Sequence, residues 1–237
     1  MLAICALLIG SFVAAVISGS AGFGGALLLL PLLNQAVGVT LAVPLLTIAQ
    51  LVGNLSRVAF GWREIRWRPV LLFLAPALPA AALGAWWFTA LPKALTVRCL
   101  GAAILLFVIL KLRGLNFRPS PQLLICGGAV VGLLSGLVGS AGLIGAAIFL
   151  SLDLPPVAYV ASEATTAVAM HLVKWAVYQR VIVLDGAFWS LAAGMSVAMV
   201  AGTWVGKRLI ETLSVARFRL LVAGLLAVTA VQMLWMG

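Results

Sequence analysis

Charge is what this chain has least of. Only 8% of its 237 residues are Asp, Glu, Lys or Arg, against about 25% in a soluble globular domain. Acidic residues number 5 and histidine 1, and Glu163 is the one acid well inside an apolar run, so no cluster of carboxylates or metal ligands at membrane depth is expected. Cys5, Cys99 and Cys126 are the only cysteines, an odd number without metal-ligand spacing, so neither a disulfide framework nor a zinc site is expected. Each lies inside an apolar run and reads as a small buried apolar residue. There is no Gly-x-x-x-x-Gly-Lys-Ser/Thr loop, which excludes ATP as a driving force within the chain. No cofactor is implied. The first basic residue is Arg57, so the basic region of a cleavable signal peptide is missing. The first apolar run is expected to remain in the mature protein.

What the chain does have is apolar surface. Hydrophobic residues make up 65% and the mean hydropathy is +1.24, which excludes both a soluble domain and disorder. A membrane span needs about 20 apolar residues, so this length holds roughly eight to ten spans. The expected class is an all-α polytopic membrane protein, with the lipid bilayer as its main partner. The net charge of +10 sits mostly in short gaps between apolar runs, as cytoplasmic loops do. A nucleic-acid binder would cluster it on a solvated face, and no nucleic-acid partner is expected. Trp62, Trp67, Trp86, Trp87, Trp204 and Trp235 fall near expected span ends and read as interfacial belts.

The spans come in two series. Met1 to Asn34 would make a helix of about 50 Å, too long for one crossing of a ~30 Å core. The glycine cluster from Ser18 to Gly25 should break it, leaving a second, shorter helix that ends near Pro31 to Asn34. Spans are expected at Val37–Phe60, Pro69–Ala90 and Ala94–Lys111. After a polar, Pro-containing linker over 113–121, Gln122–Asp153 is again overlong and again broken, between Ser135 and Gly145. Pro156–Arg180, Gly186–Gly206 and Val215–Trp235 follow. The chain therefore divides into repeats at 1–112 and 122–237. A shift of 120 aligns Gly19-Ser-Ala-Gly22 with Gly139-Ser-Ala-Gly142, and a shift of 117 aligns Ser18, Asn54 and Arg57 with Ser135, His171 and Lys174. Either register is a few residues from the other.

Loop charge decides between parallel and inverted repeats. If each broken stretch is a hairpin, the repeats are inverted. Arg63, Arg66, Arg68, Lys111, Arg113, Arg118, Lys207, Arg208, Arg217 and Arg219 then share one side. Full crossings would erase that bias, so inverted repeats are expected, with basic loops cytoplasmic and both termini outside.

Inverted repeats opened by glycine-broken helices point to a transporter with a central site. A helix break exposes unpaired N–H groups that favour an anion, and glycine lets a substrate approach the backbone. The candidates are Gly22, Gly24 and Gly25 with Gly139, Gly142 and Gly145 as counterparts; close helix packing through small residues is the competing reading. The run from Ser18 to Gly25, followed by Ala-Leu-Leu-Leu-Leu-Pro31, resembles the glycine-rich signature opening each half of the TauE/SafE transporters, the sulfite exporter family. The second copy, from Ser135, is similar but lacks the tight glycine run and the closing proline, and Arg63 to Arg68 resembles the family's basic loop. The resemblance implies export of a small sulfur-containing anion, sulfite or a sulfonate, across a cell membrane, with a bacterial inner membrane as the expected location.

Polar residues inside spans narrow the site. Thr47, Gln50, Asn54 and Arg57 are spaced by three, four and three, so they share a helix face. Glu163, Thr166 and Lys174 share another, with His171 beside Lys174. Arg57 or Lys174 would neutralise an anion and Asn54 and His171 would hydrogen-bond its oxygens, unless the two cations snorkel to the interface. Glu163, the one acid deep in a span, is either a proton-coupling group or half of a structural pair. Asp153 and Asp185 are expected to cap helices. An intramembrane hydrolase using Ser20 or Ser140 with His171 lacks an orienting acid, so no enzyme activity is expected. The closer rival is a transporter for a cation or another small solute, but Glu163 alone is a poor cation site. A homo-oligomer is compatible with the sequence, and nothing in it sets the number of subunits.

Overall fold

The computed structural model describes residues 2–90, 120–138, 142–180, 185–214 and 217. Among the described residues it is helical with no strand: α1 (Leu2–Ala21), α2 (Gly25–Gly61), a 3₁₀ turn (Trp62–Glu64), α3 (Trp67–Ala90), α4 (Pro121–Val138), α5 (Gly142–Leu150), α6 (Pro156–Tyr178) and α7 (Gly186–Glu211). Among the described residues, four stretches are long and apolar enough to cross a membrane: Ile4–Ala21, Leu41–Glu64, Trp67–Phe88 and Gly186–Glu211. Helix α6, at 23 residues, reaches about 34 Å. It is less apolar because it carries Glu163, His171 and Lys174, all buried. The exposed Trp62, Trp67, Trp86 and Trp204 and the exposed aliphatic side chains of α1, α3 and α7 make a lipid-facing surface. The expected span Ala94–Lys111, all of Val215–Trp235 but Arg217, and most of the 113–121 linker lie outside the described residues.

Both overlong stretches fold back on themselves. Gly25 packs against the Ala14 carbonyl and Ser18 hydroxyl while Gly10 lies against Leu29 and Leu32, so the start of α2 runs antiparallel to α1. Gly127 meets Ile148 and Gly145 meets Val131, which makes α4 and α5 a second antiparallel pair. The returning segments are short. From Gly25 to a kink at Gly38 (φ 75°, ψ 162°) the rise is about 20 Å, and the 9 residues of α5 give about 14 Å. Neither crosses a ~30 Å core.

One boundary differs from the sequence expectation. The short helix does not stop between Pro31 and Asn34; it continues to Gly38, and the next helix starts there rather than at Val37. A proline can stay inside a membrane helix because neighbouring helices re-satisfy the freed carbonyl. The left-handed φ that separates the segments is one a glycine adopts without strain, and Gly38 supplies it.

Packing exchanges helices between the halves of the chain. Gly128, Gly132 and Gly136 of α4 sit against the backbone of Phe73, Ala77 and Ala81 of α3, so α3 and α4 run parallel in close contact. Gly202 and Gly206 of α7 sit likewise against Phe12 and Val16 of α1. Where lipid offers no hydrophobic drive, such small-residue seams bring helices together by close packing. Gly61, at the end of α2, meets Val157 and Ala161 near the start of α6, so this central pair is antiparallel. One apolar core accordingly joins α3 to α4, α5 and α6, and another joins α1 and α2 to α7.

Candidate functional site

The first break lies at residues 22–24. Helix α1 closes with the Gly22 amide donating to the Ser18 carbonyl at 2.8 Å. Gly22 (φ 84°) and Gly24 (φ 100°) then turn the chain through backbone conformations that side chains rarely adopt. In the second half α4 ends at Val138 and α5 starts at Gly142; residues 139–141, Gly139 among them, fall outside the described residues. The N-termini of α2 and α5, with the unpaired N–H groups that every helix start carries, are thus brought to the middle of the bundle.

Between them lies a cavity of about 50 Å³, enough for a few waters or one small anion. Gly22, Gly24 and Gly25 line it from one break and Gly142 and Gly145 from the other. Helix α2 contributes Gln50, Asn54 and Arg57, and α6 contributes Glu163, Thr166 and His171. The structure therefore brings Gly22, Gly24, Gly25, Asn54, Arg57, Gly142, Glu163 and His171 around one space.

Arg57 points inward rather than to the interface. Its Nη1 donates to the carbonyls of Ser18 (3.1 Å) and Gly22 (2.9 Å), and its Nη2 donates to Asn54 Oδ1 at 2.5 Å. The guanidinium thus closes the C-terminal end of α1, where carbonyls lack helical partners and positive charge is favoured. Nη1 also lies 3.7 Å from Glu163 Oε2, a buried pair between α2 and α6. The Asn54 Nδ2 donates to the Gln50 carbonyl at 2.7 Å, so its amide bridges that carbonyl and Arg57. Its place is to hold Arg57.

Lys174 is completely buried and does not line the cavity. Its Nζ donates to Ser135 Oγ at 3.0 Å, and Ser135 itself faces the cavity. Arg57 reaches back 39 residues to Ser18, and Lys174 reaches back 39 residues to Ser135. Each cation clasps the end of the helix that opens its own half.

Four polar atoms belonging to residues on the cavity wall have no hydrogen-bond partner among the described residues: Gln50 Nε2, Arg57 Nε, Glu163 Oε2 and His171 Nδ1. Their residues are at most 7% exposed. Buried polar atoms are nearly always paired, so such a cluster marks a place for water or a ligand. Gln50 and Arg57 present N–H donors, which suit a ligand rich in oxygen acceptors.

Sequence reasoning singled out Gln50 by its face but did not place it in the site, and it missed Tyr159. The Tyr159 hydroxyl donates toward the Ala21 and Ala146 carbonyls, at 3.1 and 3.4 Å, and so ties the two breaks together. Its ring fills the space where a Gly22 side chain would stand. The available signal was one of only two tyrosines placed in the most polar span. Asp185 caps α7 as expected, accepting from the Phe188 amide at 2.8 Å. Asp153 stands in the turn after α5 with a left-handed φ of 55°.

Paired helix breaks meeting at a buried polar cavity, inside an apolar helical bundle, are the arrangement expected of a membrane transport protein. The chain belongs to the sulfite exporter TauE/SafE family, whose model matches residues 7–233 of it. No curated protein and no solved structure matches it.

Proposed function

We propose that the protein exports a small sulfur oxyanion, sulfite or an organosulfonate, held in the cavity between the two breaks and released by alternating access. The observation that carries this reading is the set of unpaired donors on Gln50 and Arg57 beside the N-termini of α2 and α5. Backbone N–H groups, helix dipoles and a guanidinium together favour an oxyanion over a cation or a neutral solute. Glu163 offers a coupling step. While paired, its charge cancels that of Arg57; a proton on Glu163 frees the guanidinium for the anion, so the anion and one proton occupy the site together and leave together, driven by the anion's own outward gradient.

The halves would be inverted repeats. What supports this is the antiparallel crossing of α2 and α6, together with the reciprocal seams α1 with α7 and α3 with α4. Alternating access is then a rocking of one unit against the other about the α2–α6 crossing. Following loop charge, the face bearing Arg63, Arg66, Arg68 and Lys207 is cytoplasmic and both termini lie outside, in a cell membrane.

The test is flux in proteoliposomes loaded with sulfite, a sulfonate, sulfate or chloride, with and without a proton gradient. Sulfite or sulfonate efflux that depends on the gradient and is lost in Arg57→Ala supports the proposal. If none of these anions moves, or if efflux survives Gly24→Leu and Arg57→Ala combined, the site is misassigned.

A further inference from the structure

Two more voids adjoin the central cavity in succession. Arg57 lines that cavity and also a void of about 20 Å³ walled by Gly19, Val160 and Thr203. Phe60, Gly61, Val157, Lys207 and Ile210 line this void and, in turn, an open depression of about 720 Å³. The depression is formed where α2 and α7 end and α6 begins, next to Arg63 and Glu64. Each space shares wall residues with the next.

The narrow middle void is mostly apolar but has a buried threonine on its wall. Thr203 is 1% exposed, and its Oγ1 has no hydrogen-bond partner among the described residues. A helical threonine ordinarily bonds back to a carbonyl of the preceding turn. Lys207 lies one turn further along α7, on the same face as Thr203. Its Nζ stands 5.6 Å from the centre of the Phe60 ring and 3.3 Å from Glu211 Oε1. From inside to outside the order is therefore Arg57, the Thr203 hydroxyl, the Phe60 ring with Lys207 over it, and the open depression. Charges at the mouth balance, with Arg63 and Lys207 against Glu64 and Glu211, so selection for an anion falls to the inner groups.

We infer that this line is the route by which substrate passes between the central cavity and the face of the Arg63 loop, with Thr203 as the hand-off hydroxyl and Phe60 as the plug. The inference rests on the anion-transport reading for what travels the route, but not for where the route runs. An oxyanion leaving Arg57 meets a donor at Thr203 before it meets Lys207, so it crosses the apolar neck without losing every polar partner. Rotation of the Phe60 ring away from Val157 and Ile210 would open the neck.

The test uses Thr203→Cys in a chain carrying Cys5→Ala, Cys99→Ala and Cys126→Ala, probed in sealed vesicles of both orientations with a small membrane-impermeant methanethiosulfonate. Labelling is expected from the Arg63-loop face alone, and adding Phe60→Ala should speed it about tenfold or more by removing the plug. Thr203→Val should slow sulfite efflux by about tenfold, the worth of one hydrogen bond to a charged group, while equilibrium sulfite binding stays within about threefold and Thr203→Ser behaves as the native chain. Labelling from the opposite face, no acceleration with Phe60→Ala, or full efflux with Thr203→Val overturns the route; so does loss of sulfite binding in Thr203→Val, which would place the hydroxyl in the binding site. If native vesicles move no anion, yet labelling follows the expected pattern, the route stands and the substrate reading falls.

Discussion

Removing the Arg57 side chain strands a charge, and the structure sets the size of the effect. The guanidinium holds the Ser18 and Gly22 carbonyls and Asn54 Oδ1, and stands 3.7 Å from Glu163 Oε2, with both side chains almost wholly buried. At that separation and an effective dielectric of about 20, the attraction is about 4 to 5 kcal/mol. Breaking a buried pair by deleting one partner costs about 3–5 kcal/mol, most of it from the carboxylate left behind. Arg57→Ala should lower the unfolding free energy by that amount. Glu163→Gln removes the stranded charge, so the double variant should recover much of the loss, with a coupling energy of about 2 kcal/mol or more between the sites. Unfolding in detergent micelles, followed through the tryptophan fluorescence, measures each corner of the cycle. Additive single-variant effects would refute the pairing and leave Arg57 only as a clasp on α1.

Other substitutions separate packing from binding. A Cβ at Gly132 would run into the Ala77 carbonyl, so Gly132→Ala should destabilise the α3–α4 seam by about 1–3 kcal/mol, read as a lower folded yield. Gly145→Ala adds a methyl only 3.7 Å from Val131 and 3.9 Å from Glu163, an ordinary contact; it should fold normally but weaken sulfite binding by narrowing the cavity. Gly24→Ala has room, yet its φ of 100° should cost about 1–3 kcal/mol in unfolding free energy. Lys174→Gln should leave sulfite affinity within about threefold in a titration, because Lys174 acts through Ser135 and not on the ligand, whereas Arg57→Ala should cost about tenfold or more.

Much of the arrangement is legible in the sequence because membrane physics is unforgiving. An apolar run too long for one crossing and interrupted by Gly22, Gly24 and Gly25 has few options other than to break, and it breaks at those residues. Polar residues spaced by helical turns on α2 and α6 must face inward, and they do. What the sequence leaves open is set by partners distant along the chain. Gly38 looks no different from its neighbours until α2 has to reverse direction, and Pro31 looks like an end although the helix runs on through it to Gly38. Lys174 shares a face with Glu163, but Ser135 stands between it and the cavity. Tyr159 gains its meaning from Ala21, 138 residues away.

The central claim is that an oxyanion sits between the two breaks against Arg57 and Gln50. Selenite has the charge and shape of sulfite and scatters anomalously, so a crystal of the protein soaked in selenite locates the ion directly. The account predicts one selenium peak in the cavity bounded by Gly24, Gly142 and Arg57, absent in Arg57→Ala. A peak elsewhere, or an empty cavity in protein that binds selenite in solution, would contradict it.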